Sequence, residues 1–160
     1  FSISYKKNKN IYWEILGDGI DKNRLLSIIE KFNLKNCVKI LGHVSRDVYY
    51  KKLTECDVVI NPALKEAGVT TSFDAISASK PLICVETGGY TENFNSKHIV
   101  LIQKKSREQV IFDLSKAIIL LTEKRIRINK SRFSKEIISN LSWHQKGLKI
   151  YEAINSVIFK

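Results

Sequence analysis

Between residues 11 and 102 the sequence alternates short apolar runs with longer amphipathic stretches, and this alternation limits the fold more than any other feature. The apolar runs are short and rich in Ile, Val and Leu, as buried strands are. The stretches between them carry apolar residues at helical spacing. Strands that alternate with helices and are apolar on both faces form a parallel sheet covered on both sides. We therefore predict an α/β fold, a parallel β-sheet flanked by helices.

Turn and cap residues set the expected element boundaries. Strands are predicted over residues 11–16, 37–41, 57–60, 82–85 and 98–102, and the helices between them over about 21–32, 45–56 and 70–79. After residue 102 the strand pattern ends, and extra C-terminal helices are predicted over about 106–121, 123–140 and 142–158. Ser45, Ser106 and Ser142 precede three of these helices, where a serine side chain commonly caps the first turn.

The length and the net charge narrow the function classes. The chain has 160 residues, enough for one domain, and 27 basic against 16 acidic side chains give a net charge of +11. No apolar run approaches the roughly 18 residues of a membrane-spanning helix. Most of the excess charge follows residue 100, and its densest part is 124–135. Such a face either meets anionic phosphates, of nucleic acid or lipid, or is an ordinary solvated helix face.

The three cysteines, Cys37, Cys56 and Cys84, are isolated in the sequence. An odd number without a CxxC pair argues against a disulfide framework and against a structural zinc site. Cys84 lies in an apolar run, so we expect it to be a small core residue. A reducing, cytoplasmic compartment fits these cysteines best.

In a fold of this class, ligands bind where loops leave the carboxyl ends of the strands and meet helix amino ends. The informative loops are 17–20, 42–45, 61–70 and 87–92. Gly17-Asp18-Gly19 fails as a dinucleotide fingerprint, and a tight strand-to-helix turn is the simpler interpretation. Gly88-Gly89 either cradles a phosphate or forms a plain turn. His43 is a lone histidine after Gly42, and such residues are more often structural than catalytic.

The loop 61–70 carries the strongest local signal. If a helix begins near Thr70, backbone N–H groups at 68–71 point outward and form an anion site suited to a diphosphate. Asp74 then lies one turn into the helix, where its carboxylate can accept hydrogen bonds from a ribose diol. Glu66, just outside the helix, can face a sugar hydroxyl. The alternative is that both acids only offset the helix dipole.

Taken together and in this order, the loops resemble the C-terminal, donor-binding domain of GT-B glycosyltransferases of family 4, the group 1 type. The matching pieces are the Gly-Asp-Gly turn, ECDVVINPALKE at 55–66, DAISASKPLICVETGG at 74–89, and Glu92. Three features depart from the family pattern. Asp74 stands where the family has a second glutamate, Ala67-Gly68-Val69 replaces Gly-Phe-Gly, and Ser79 replaces a glycine.

The resemblance implies a single Rossmann-like nucleotide-sugar-binding domain over residues 1–160. Since the chain starts at Phe1 without Met, we expect a fragment whose N-terminal acceptor domain and first strand lie upstream. The family's first strand is followed by an Arg and a Lys that contact the diphosphate, and these residues have no match here. The implied activity is retaining transfer from a nucleotide-diphosphate sugar to a cell-envelope glycan or lipid-linked acceptor, without metal or other cofactor.

The resemblance also implies residue roles. Glu66 is the catalytic candidate and contacts the donor sugar, while Asp74 binds the ribose hydroxyls. The remaining donor-binding candidates hold the diphosphate, meet the base or shape the cleft: Gly68, Val69, Thr70 and Thr71 for the diphosphate; His43 and Val44 for the base; Gly17, Gly19, Gly88 and Gly89 for the cleft.

Two other functions stay open at this point. One keeps the fold and makes the protein a GT-B type sugar-nucleotide epimerase. The other is a non-catalytic basic module that binds anionic membrane or nucleic acid through the C-terminal helices. If the protein is a glycosyltransferase, we expect no nucleic acid partner. This function is compatible with a cytoplasmic enzyme whose basic helices rest on the anionic inner face of the membrane.

Overall fold

The computed structural model describes residues 1–65, 70–87, 94, 97, 99–138 and 142–158. Its helices are α1 Ser2–Lys7, α2 Lys22–Lys31, α3 Arg46–Glu55, α4 Thr70–Ser77, α5 Arg107–Leu120, α6 Lys124–Ile138 and α7 Trp143–Ile158. Its strands are β1 Trp13–Leu16, β2 Val38–Gly42, β3 Val59–Asn61, β4 Leu82–Val85 and β5 Ile99–Ile102. Each strand and helix predicted between residues 11 and 158 is present, with ends within a few residues of the prediction.

All strand pairs are parallel, and the described strands form two sheets rather than one continuous sheet. One sheet pairs β1 with β2, and the other has the order β3-β4-β5. In the second sheet, Val59 lies opposite Leu82 and Leu82 opposite Ile99. Among the described residues, β1 pairs only with β2 and β3 only with β4. Each of these two strands, like β2 and β5 at the other ends of the two sheets, therefore has an edge without a partner in this part of the chain.

The centre of the core is β4, all four residues of which are buried. Because side chains alternate along a strand, Leu82 and Cys84 pack on one face of the sheet with Ala75 and Ile76 of α4. The side chains on the other face join the inner side of α5, including Val110 and Ala117. The sheet is thus covered on both sides, as the unbroken apolar run predicts, and Cys84 is the small core residue expected.

The three predicted serine caps are confirmed. The Oγ atoms of Ser45, Ser106 and Ser142 accept hydrogen bonds from the backbone N–H three residues later, at 3.4, 3.3 and 3.2 Å. Each bond satisfies one of the donors that a helix leaves unpaired at its first turn. These caps fix where α3, α5 and α7 begin.

Two features differ from the sequence-based expectation. Helix α1 was not predicted, because six residues are too few to show helical periodicity; it is held to α5 by a 3.1 Å hydrogen bond from buried Ser4 to the carbonyl of Ser115. In α2 the apolar residues have the predicted spacing, but only Ile29 is buried. Leu25, Leu26, Ile28 and Phe32 remain exposed.

Candidate functional site

The predicted site residues divide into those the structure describes and those it does not. Glu66, Gly68, Val69, Gly88 and Gly89 lie outside the described residues. The others are all described, and each follows a strand or begins a helix at the carboxyl edge of a sheet: Gly17, Gly19, His43, Val44, Thr70, Thr71 and Asp74.

The ends of β1 and β2 are joined at this edge by Gly17 and Gly42. The N–H of Gly17 donates to the carbonyl of Gly42 at 2.8 Å, and the two residues form an isolated bridge. Their φ angles are +117° and +70°, a region that side chains disfavour. Glycine is therefore needed at both positions to bring the two loops together.

The turn after β1 is closed by its own acidic residue. The Asp18 carboxylate accepts a hydrogen bond from Lys22 at 2.8 Å and one from the Gly19 N–H at 2.8 Å. These bonds lower the pKa of Asp18, the Lys22 bond most, and the nearby His43 lowers it further. The geometry confirms a tight strand-to-helix turn. It also places Gly19 and His43 near one ionised carboxylate.

The described part of helix α4 starts at Thr70, and Thr70 and Thr71 are exposed while Ser72 is buried. The amino end of a helix carries partial positive charge and attracts anions. Asp74 follows at the end of the first turn and is half-buried. Within the described residues, no cluster of three or more His, Cys, Asp or Glu is placed to hold a metal ion.

Asp74 is held from the neighbouring helix. The Tyr49 hydroxyl on α3 donates to Oδ2 of Asp74 at 3.0 Å. The Tyr50 hydroxyl does most to raise the pKa of Arg46, at the start of α3, and the Asp74 charge adds a smaller contribution. The amino ends of α3 and α4 thus share one group of polar side chains.

The comparison with protein families decides what kind of domain this is. The model described as glycosyl transferases group 1 matches residues 1–136, most of the chain. The chain belongs to this family. The group 1 domain is similar to an uncharacterized glycosyltransferase of Methanocaldococcus jannaschii, with 23% identity over 93% of the chain and 42% of that protein.

One further curated protein and one solved structure are also similar to this domain. The domain is 25% identical to the phosphatidylinositol N-acetylglucosaminyltransferase gpi3 subunit of Schizosaccharomyces pombe, over 94% of the chain and 33% of that protein. Among solved structures, the pneumococcal O-GlcNAc transferase GtfA in complex with UDP and GlcNAc matches with a TM-score of 0.79 and 18% identity. That match covers 99% of this chain and 32% of GtfA. The chain thus spans well under half the length of these relatives.

Sequence reasoning about the group 1 domain missed three polar residues near the site. Lys22 stands four residues after Asp18, the helical spacing of an ion pair, so this pair had a local signal. Arg46 and Tyr49 had none, because their relation to Asp74 arises only when α3 and α4 pack together. The predicted roles of the site residues themselves stay predictions.

Proposed function

We propose that the protein containing this chain transfers a sugar from a nucleotide-diphosphate sugar to an acceptor, with retention of anomeric configuration. Residues 1–160 supply the donor-binding half. The observation that carries the proposal is the placement of Asp74 one turn into α4, beside the exposed Thr70 and Thr71, in a chain of the group 1 family. A structural neighbour bound to UDP and GlcNAc supports a nucleotide-sugar donor.

We assign a role to the residues along each part of the nucleotide-sugar donor, from its base to its sugar. His43 and Val44, after β2, meet the base, and Asp74 accepts hydrogen bonds from the ribose hydroxyls. Backbone N–H groups at the amino end of α4 hold the diphosphate. Glu66 contacts the donor sugar. No metal or other cofactor takes part in this scheme.

The acceptor and the remaining catalytic groups belong to an N-terminal domain outside residues 1–160. The edges of β1 and β3 that have no partner among the described residues leave room for a further strand from the same protein, which we place between the two sheets and paired with both. Parallel strands buried on both faces are stable when their edges are paired, and an open edge is a liability.

The acceptor is proposed to be a cell-envelope glycan or a lipid-linked precursor, met at an anionic membrane surface. Lys124, Arg125 and Arg132 are exposed on α6, and the exposed Ile128 lies among them. An apolar side chain between cations suits the headgroup region of a bilayer. No helix in the described part of the chain is long and apolar enough to cross a membrane.

The test is titration calorimetry on the full-length protein with UDP, GDP, ADP and their glucose conjugates. We expect one nucleoside diphosphate to bind, and Asp74→Ala to weaken that binding by about tenfold or more. Failure of all three diphosphates to bind contradicts the proposal. Unchanged affinity in Asp74→Ala removes the ribose role. Conversion of the donor to its epimer without an acceptor and without net release of nucleotide favours the epimerase instead, which the comparisons do not support.

A further inference from the structure

Asp74 is held by a residue that the donor-binding scheme does not include. The Tyr49 hydroxyl donates to Oδ2 of Asp74 at 3.0 Å, across a sequence separation of 25 residues. Helices α3 and α4 each follow a strand, β2 and β3 respectively, so the pair lies where two loops of the carboxyl edge meet. Oδ1 of Asp74 accepts no hydrogen bond within the part of the chain that the structure describes.

The Tyr49 ring is fixed by packing on two sides. It lies against the core cluster that contains Leu53 and Ile76. Its ring also meets the Tyr50 ring edge-on, with 5.2 Å between centroids and 68° between planes. Since the ring cannot turn freely, the position of the hydroxyl is set by the core and not by the ligand.

Tyr49 stays a hydrogen-bond donor across the physiological pH range. Burial raises the pKa of Tyr49 most, and the hydrogen bond to Asp74 raises it further. A neutral phenol beside an ionised carboxylate forms a charge-assisted bond, which is stronger than a bond between neutral groups. The Tyr49 hydroxyl therefore remains the donor in this pair.

We propose that Tyr49 is a positioning residue that holds Oδ2 of Asp74 and presents Oδ1 to the ribose hydroxyls of the donor. The inference rests on the proposed function. Asp74 is one methylene shorter than the glutamate that the family resemblance implies. The Tyr49 hydroxyl from α3 donates a hydrogen bond to one oxygen of this shorter side chain. A carboxylate already oriented loses less rotational freedom when the ligand binds.

The test measures nucleotide affinity with the full-length protein and two tyrosine variants. Tyr49→Phe keeps the ring and its packing and removes only the hydroxyl, and Tyr50→Phe is the matched control on the same helix. The probes are UDP, GDP and ADP, followed by the 2′,3′-dideoxy form of the tightest binder. We expect Tyr49→Phe to weaken binding of the ribonucleotide about three- to tenfold and binding of the dideoxy form less than about twofold. Tyr50→Phe should change neither.

A double-mutant cycle with Asp74→Ala completes the test. If Tyr49 acts through Asp74, Tyr49→Phe has no further effect on nucleotide affinity once Asp74 is alanine. Equal losses for the ribo and dideoxy probes, or an unchanged affinity in Tyr49→Phe while Asp74→Ala weakens binding, overturn the positioning role alone. If Asp74→Ala itself has no effect, or no diphosphate binds, the proposed donor site fails and this inference fails with it.

Discussion

Arg127 of α6 forms an ion pair with Asp57, the residue two positions before β3, at 3.4 Å between Nε and Oδ1. Nη1 of the same guanidinium donates to the carbonyls of Leu121 and Thr122, both at 2.8 Å. The Arg127 side chain thus links the end of α5 to the segment just before β3. In the sequence Arg127 belongs to the run of basic residues, but its contacts make it a structural residue.

We predict that Arg127→Ala destabilises the protein. The change leaves two helix-end carbonyls without their donor and removes an ion pair, which together cost about 1–3 kcal/mol. Thermal unfolding should show a melting temperature several degrees lower. Arg125→Ala is the matched control, because Arg125 is 84% exposed on the same helix, and it should stay within about 0.5 kcal/mol of the wild type. Equal stability of the two variants contradicts the structural role.

The exposed cations of α6 are predicted to carry membrane binding. Reversing Lys124, Arg125 and Arg132 to Glu should reduce co-sedimentation of the full-length protein with phosphatidylserine vesicles. At about 1 kcal/mol for each basic residue, the loss is roughly a hundredfold. Reversing exposed Lys6, Lys7 and Lys9 makes the same change in net charge on another surface and should have a much smaller effect. Vesicle binding that is insensitive to the α6 reversal rules out this surface.

Ser79 occupies a backbone conformation that favours glycine. Its φ is +55°, and its N–H donates to the carbonyl of Ile76 at the end of α4. A residue just past a helix end commonly adopts this left-handed conformation, and glycine avoids its cost. We therefore predict that Ser79→Gly stabilises the protein by about 1 kcal/mol in urea unfolding. Ser77→Gly, inside α4, should have the opposite sign. A destabilised Ser79→Gly variant would show that the Ser79 side chain contributes more than its backbone costs.

The same positions show what the sequence could and could not predict. Serine caps and the apolar run of β4 depend on residues close in the chain, and they were predicted correctly. The departure at Ser79 was visible only as a difference from a family pattern, and the φ angle supplies its physical meaning. The Tyr49–Asp74 bond, the role of Arg127 and the exposure of the α2 apolar residues depend on how distant elements pack. No local pattern contains that information.

The cysteines should differ sharply in reactivity. Cys84 is fully buried, and burial raises the pKa of its thiol to about 12, so the thiol stays protonated at pH 8. Burial also raises the pKa of Cys56, but Cys56 is partly exposed and the nearby Lys80 opposes the shift. Iodoacetamide at pH 8, followed by peptide mass spectrometry, should label Cys56 before Cys84, and denaturant should abolish the difference.

The raised pKa of Cys84 also has a consequence for stability. The unfolded chain loses this proton near pH 9, before the folded chain does. The stability that the protonated Cys84 thiol gives the folded state is therefore fully present below pH 9 and decreases as the pH rises towards 12. Over that range the wild type should lose more stability than Cys84→Ala. Parallel pH profiles of the two proteins, or early labelling of Cys84 in the folded state, contradict the buried environment.

The edges of β1 and β3 that lack a partner among the described residues give a test of the proposed intervening strand. Trp13 donates its N–H to Cys37, beside β2, and Val59 donates to Pro81, beside β4. Because successive N–H groups of a strand point in opposite directions, the amides of Glu14 and Ile60 face the open edges. In the full-length protein, a strand between β1 and β3 would accept hydrogen bonds from these amides and slow their hydrogen exchange. We expect protection close to that of Ile83 in the doubly paired β4. Fast exchange at Glu14 and Ile60, with Ile83 protected, would mean that the two sheets remain separate and that no strand lies between them.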